Sequence, residues 1–174
     1  MAYNQEIVHV MLKPDTLASG LRETVLRELE KSGGRYVVSS RLTLNLSQIE
    51  AIYPHFPNPR AKPFIFAYFT TRETEHFAFV GHLGLHCRMH EAKGKTGSGR
   101  GIRGRYYTRY THLSQSELDE WLHGTLPATA EIDLEMFGRD ILHIADNAVD
   151  SLRGLNAIMD AKCMKIISEE DFLA

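Results

Sequence analysis

Ile7 to Leu12 forms a largely apolar, β-branched run that stops abruptly at Lys13-Pro14-Asp15. A run of that length and kind is a buried strand, and the proline ends it. The rest of the chain must therefore pack around a sheet. Leu21, Val25, Leu26 and Leu29 recur at helical spacing, and Gly33-Gly34 supplies a stop. Val37 to Leu46 alternates as a second strand, and Ser47 with Glu50 forms a capping-box pattern for a short helix. Pro54, Pro57 and Pro59 break that helix ahead of the aromatic stretch Phe64 to Phe69. Phe77 to Val80 reads as a strand, Leu83 to Ala92 as a helix and the glycine-dense Gly94 to Gly104 as a loop. Ser114 to His123 reads as a short amphipathic helix, followed by a connector over Gly124 to Ala130. Ile132 to Phe137 and Ile141 to Ile144 read as extended, and Asp146 caps a final helix through Met159. Strands alternating with helices, without repeat or linker, predict an α+β sandwich: helices over an antiparallel sheet.

Composition bounds the function. The 174 residues suit one domain, and 43% hydrophobic with 24% charged residues is the balance of a soluble globular chain. A net charge of -2 gives no global attraction to nucleic acid or anionic membrane, so any anion site must be local. No apolar run is long enough to span a bilayer. Met1 to Glu6 lacks a basic stretch before an apolar core, so no signal peptide is expected. Cys87 and Cys163 are too few for a disulfide scaffold, and a reduced, cytoplasmic protein is expected.

Local charge is concentrated between Lys93 and Arg109, where Lys93, Lys95, Arg100, Arg103, Arg105 and Arg109 occur without an acidic residue. Glycines that expose backbone N–H groups, combined with positive side chains, suit a polyphosphate. A solvated basic loop fits the same residues. A Walker phosphate loop is excluded, because Met89 stands where that motif needs its first glycine. His143 follows the apolar pair Ile141-Leu142 and precedes a helix start, at a sheet edge beside backbone donors. Its imidazole offers a neutral nucleophile near physiological pH, although position alone favours a structural histidine. His82, His86 and His90 recur every four residues and read as a polar helix face rather than a zinc site. Phe64, Phe66, Tyr68 and Phe69 fit a core cluster, with base stacking the alternative.

These pieces fall in the order found in the nucleoside diphosphate kinases. Val10-Met11-Leu12-Lys13-Pro14-Asp15 resembles the first-strand signature of that family. Gly138-Arg139-Asp140-Ile141-Leu142-His143-Ile144-Ala145-Asp146 resembles its active-site segment, Gly-Arg-Asn-x-x-His-Gly-Ser-Asp. Lys62-Pro63-Phe64 resembles its base-stacking segment, and Gly101-Ile102-Arg103-Gly104 its Thr-Ile-Arg-Gly stretch. The match runs from about Ile7 to Met159.

The resemblance implies a ferredoxin-like βαββαβ sandwich and a ping-pong reaction. His143 would take the terminal phosphate of a nucleoside triphosphate and pass it to a nucleoside diphosphate. Arg88, Thr96 and Arg103 would hold phosphates, Lys13 would reach ribose and phosphate, and Tyr53 would lie near the nucleophile. Phe64 would stack on the base, and Asp146 would help hold Mg2+ through water. Homo-oligomers are implied, and neither a membrane nor a nucleic acid is an expected partner.

The sequence departs from that pattern at four places. Asp140 replaces an asparagine, so this side chain still accepts a ribose hydroxyl but repels phosphate. Ile144-Ala145 replaces Gly-Ser, removing a hydroxyl beside the nucleophile. Arg153-Gly154-Leu155 stands where the family carries a histidine-orienting glutamate, with Asp150 one turn earlier as the available substitute. Finally, roughly twenty-five extra residues, about 107–131, precede the histidine strand, as a lid or a subunit contact. The domain is expected over 1–160, with 161–174 as a tail. The alternative to efficient turnover is a divergent member acting on a specialised nucleotide, or a nucleotide-binding regulator.

Overall fold

A computed structural model describes residues 5–55, 59–96, 98–107, 115–124 and 139–169. Four strands form one sheet in the order β2-β3-β1-β4: β1 (Gln5–Leu12), β2 (Gly34–Thr43), β3 (Glu73–His82) and β4 (Leu142–Ile144). Every neighbouring pair is antiparallel. This is the expected ferredoxin-like arrangement, with the Ile7–Leu12 strand at its centre.

Side chains alternate along β1 and sort the molecule into layers. Val8, Val10 and Leu12 face α2 (Arg22–Glu30) and α5 (Leu85–Lys93), packing with Leu26, Leu29, Phe77, Phe79 and Met89. Ile7 and Met11 face the other way, onto α3 (Leu46–Ile52), α4 (Lys62–Thr70), α8 (Ala148–Ile158) and α9 (Ala161–Glu169). The sheet is thus covered on both faces. Fully burying each large side chain of this core contributes about 1.5–3 kcal/mol. The short helix α1 (Pro14–Ala18) begins at the proline that ends β1.

Several elements differ from the sequence expectations. The capping box of α3 is Asn45 with Gln48, two residues upstream of the Ser47 and Glu50 pattern. Asn147, not Asp146, caps α8, its side chain accepting the Asp150 N–H at 3.0 Å. The aromatic stretch after Pro63 is helical, because that proline occupies the first turn of α4, where no N–H is required. The glycine-dense stretch is a loop only to Arg100, and α6 (Gly101–Tyr106) follows. A Cβ on Gly101 would lie 2.7 Å from the Gly94 Cα, so these glycines permit two backbone segments to touch. Within the stretch read as a tail, Ala161–Glu169 form α9 against β2, where Ile167 is buried.

The insertion contributes α7 (Gln115–His123). Its Trp121 is buried. The expected cap Ser114, the extended segment Ile132 to Phe137 and the acidic end Glu170-Asp171 lie outside the described residues. No helix among the described residues is long and apolar enough to cross a membrane.

Candidate functional site

The short strand β4 pairs with β1 so that His143 stands opposite Met11. It therefore shares the β1 face that carries Ile7 and Met11. Its ring lies 4.6 Å from that of Tyr53, at the end of α3. Burial, then the nearby His9, Lys13, Lys93 and Arg103, holds the imidazole well below its ordinary value. A histidine so placed stays neutral, with a lone pair available for attack.

The approach to β4 is held by the first motif. Ile141 has φ of 73°, a left-handed conformation uncommon for a β-branched residue. Leu142 N–H donates to the Asp140 carbonyl at 2.9 Å, closing a γ-turn over Ile141. Three groups of the Lys13–Thr16 segment pin that turn. Lys13 N–H donates to the Ile141 carbonyl at 3.0 Å, and the Thr16 hydroxyl donates to the same oxygen. The Asp15 carboxylate accepts the Ile141 N–H at 3.1 Å. It also accepts the Tyr68 hydroxyl at 3.3 Å, and burial pushes its pKa up. Proline and aspartate in the Lys-Pro-Asp motif thus turn the chain and clamp the backbone that leads to His143.

Three cations converge beside this turn. Lys13 is buried and ion-paired with Asp140. Burial opposes its charge, but Asp140 outweighs burial and its pKa rises. Arg103 of α6 reaches the second Asp140 oxygen at 2.6 Å and the Leu142 carbonyl at 2.7 Å. Lys93, at the end of α5, is depressed to about 8 by burial and then by Arg103. Asp140 is therefore an internal anion bridging two cations, in the place of the asparagine expected to meet a ribose.

The expected residues divide into two groups. Lys13, Tyr53, Arg103, Asp140 and His143 come together. Arg88 does not join them: its guanidinium donates to the Ser32, His82 and Leu83 carbonyls at 2.8, 3.1 and 3.0 Å. Those acceptors lie at the end of β3 opposite to Glu75, whose β1 partner Leu12 pairs with Leu142. Arg88 is in the first turns of α5, and only the later turns of that helix reach the site. Thr96 lies exposed in the loop between α5 and α6, outside the ion-paired group. Phe64 is on α4 and packs edge-to-face against Trp121 of α7, with centroids 5.4 Å apart. Asp146 is exposed just after β4, its carboxylate 3.8 Å from His90 Nε2. His90 also bonds the Ala145 carbonyl at 3.2 Å.

In the sequence Lys93 reads only as part of a basic run, and neither Asp15 nor Thr16 stands out as a site residue. The signal for Asp15 was its place directly after the proline that ends the apolar strand, two residues from Lys13. Asp150 does not replace the missing glutamate, since it bonds Asn147 at 2.9 Å and Arg153 at 2.6 Å. Gly154 instead abuts His9, and a Cβ there would lie 2.3 Å from His9 Nδ1. His82 belongs to β3 while His86 and His90 belong to α5, so the three do not share a helix face. No cluster of three metal-ligating side chains occurs among the described residues.

No family model matches the chain, and no curated protein matches it. Solved structures do. A nucleoside diphosphate kinase of Aquifex aeolicus superposes with a TM-score of 0.66 at 13% identity, covering 91% of this chain and 98% of that one. One from Borrelia burgdorferi, a transition state mimic with vanadate and ADP bound, gives 0.65 at 16% identity over 93% and 91%. One from Encephalitozoon cuniculi gives 0.65 at 15% identity over 91% of each chain. Lys13-Pro14-Asp15 and the His143 strand, set at the centre and edge of a β2-β3-β1-β4 sheet, thus stand in the fold of the nucleoside diphosphate kinases.

Proposed function

We propose that the protein transfers the terminal phosphate of a nucleoside triphosphate to a nucleoside diphosphate through phosphorylated His143. The observation that carries this reading is a neutral histidine on β4 beside the buried Lys13 and the half-buried Lys93 and Arg103. A ring nitrogen of His143 attacks the terminal phosphorus, and the bond from phosphorus to the bridging oxygen breaks. The nucleoside diphosphate leaves with that oxygen and its negative charge. In the return half, a terminal oxygen of a second nucleoside diphosphate attacks the phosphohistidine, and the phosphorus–nitrogen bond breaks. Positioning and neutralisation of spread charge supply the rate in such a transfer. The described cations fit that task, and the fold shared with a kinase captured with ADP and vanadate supports it.

Asp146 is an exposed carboxylate just after β4 and fits a magnesium ion that keeps most of its waters. Bound there with the nucleotide, the ion would offset phosphate charge. Phe64 supplies a ring for the base, and stacking tolerates any base. A homo-oligomer in the cytoplasm is part of the same reading.

A second reading draws on Asp140 and Gly154. An anion already pairs with Lys13 and Arg103, and α8 presents no carboxylate at Gly154. Both favour a slow or specialised enzyme, or a nucleotide-binding regulator. Incubation with ATP labelled on its terminal phosphate separates the readings. We expect an acid-labile, alkali-stable phosphoenzyme that His143→Ala abolishes and that ordinary nucleoside diphosphates discharge. Unlabelled wild-type protein that still binds ADP would sink phosphotransfer and leave the regulator.

A further inference from the structure

We infer that Trp121 of the inserted helix is the gate to the base site: in the free protein it covers Phe64, and a nucleotide enters by displacing it. This inference rests on the phosphotransfer reading above, which assigns Phe64 to the base. The two rings meet edge-to-face, with centroids 5.4 Å apart and planes at 73°. A base stacked between two rings needs about 7 Å, twice an ordinary contact distance of roughly 3.5 Å. The observed pair leaves no such slot, so base and Trp121 compete for the same ring.

Trp121 is also held by a cation. The Arg60 guanidinium lies 4.8 Å from its ring centroid. Arg60 in turn is wedged against Gly124, where a Cβ would come within 2.9 Å of its guanidinium. Gly124 ends α7 with φ of 83°, and its N–H donates to the Trp121 carbonyl at 3.1 Å. The indole is 3% exposed although it belongs to an insertion. Arg60 and Phe64, either side of the α4 start, thus form a cradle for one inserted side chain. The cradle makes Trp121 a specificity-determining residue: only a base whose stacking outcompetes the edge-to-face pair gains the site. Binding through a fractionally open state weakens apparent affinity by the open fraction.

The sole tryptophan of the chain is its own reporter. Unaltered protein is titrated with ADP while indole emission is followed, and calorimetry compares it with Trp121→Ala. We expect the emission to move to longer wavelength as ADP saturates, and the variant to bind ADP about tenfold more tightly. Saturation without a spectral shift overturns the inference, as does equal or weaker binding by the variant. Quenching without a shift, joined to weaker binding, would make Trp121 a base contact and likewise overturns it. The emission measurement needs no substitution, so a misfolded variant does not rescue the idea. If neither protein binds ADP nor accepts label from ATP, the phosphotransfer reading itself fails. If label is transferred while the indole stays put, the gate alone fails.

Discussion

Asp140 decides how much of the positive charge beside His143 is available to a substrate. It pairs with both Lys13 and Arg103. Asp140→Asn should therefore free two cations for phosphate and raise affinity for ordinary nucleoside diphosphates about tenfold, read by calorimetry. It should also lower the unfolding free energy by roughly 3 kcal/mol, because Lys13 would be left charged and buried without its partner. Affinity and stability moving together would count against this account. Lys93 sets the alkaline limb. Its pKa of about 8, lowered by burial and by Arg103, means that the free protein loses this cation above that pH. We expect kcat/KM to decline with an apparent pKa near 8. Lys93→Arg, which stays charged, should carry the limb beyond the accessible range. A limb that does not move assigns it to another group.

At the scale of elements, the turn over Ile141 joins the two ends of the site. A residue held at φ of 73° stores on the order of 1–3 kcal/mol of strain, offset here by Lys13, Asp15 and Thr16. Asp15→Asn turns one carboxylate oxygen into a donor that faces either the Ile141 N–H or the Tyr68 hydroxyl. Stability should drop by about 1–3 kcal/mol in urea titrations, and kcat should fall more than KM changes. An unchanged kcat would show that the clamp does not position His143. The sequence revealed elements whose apolar pattern is plain, as in the continuous run of β1 and the helical spacing of α2. It misled where a residue type served a second purpose. Gly101 and Gly94 read as flexibility but serve close backbone approach. Arg88 reads as a phosphate ligand, yet it ties three carbonyls at the far end of the sheet. Charge along the chain does not say which turn of α5 points at the site, and that direction is fixed only by packing. Lys13, Arg103, Asp140 and His143, which the fold brings together, each lie in a short motif that stands out in the sequence.

Across the whole molecule, α8 packs on a sheet face that carries buried histidines. His9 Nε2 and His76 Nδ1 are 3.0 Å apart, and Thr74 bonds the far side of His76 at 2.8 Å. Burial pushes His9 down to about 4, and burial with His9 pushes His76 well below its ordinary value. The unfolded chain protonates both near pH 6.5, whereas in the folded protein His9 stays neutral down to about pH 4 and His76 is held well below its ordinary value. Unfolding therefore takes up protons across that window, and stability falls as the pH drops through it. His9 alone should withdraw about 3 kcal/mol. Denaturant midpoints should be level above pH 7 and decline steadily from pH 6.5 to 4, with a shallower decline in His76→Gln. A midpoint flat over that range would show that the pair is not kept neutral by the fold.

The clamp on Ile141 also has a consequence in time. Thr16 and Ile141 are 125 positions apart, and β4 joins the centre of the sheet through β1. Contacts of such separation close large loops and form late. During synthesis, β1, β2 and β3 are able to assemble while β4 is still absent, leaving one side of β1 open. His143 and its neighbouring cations therefore come into being in a single closing event, when the last third of the chain docks.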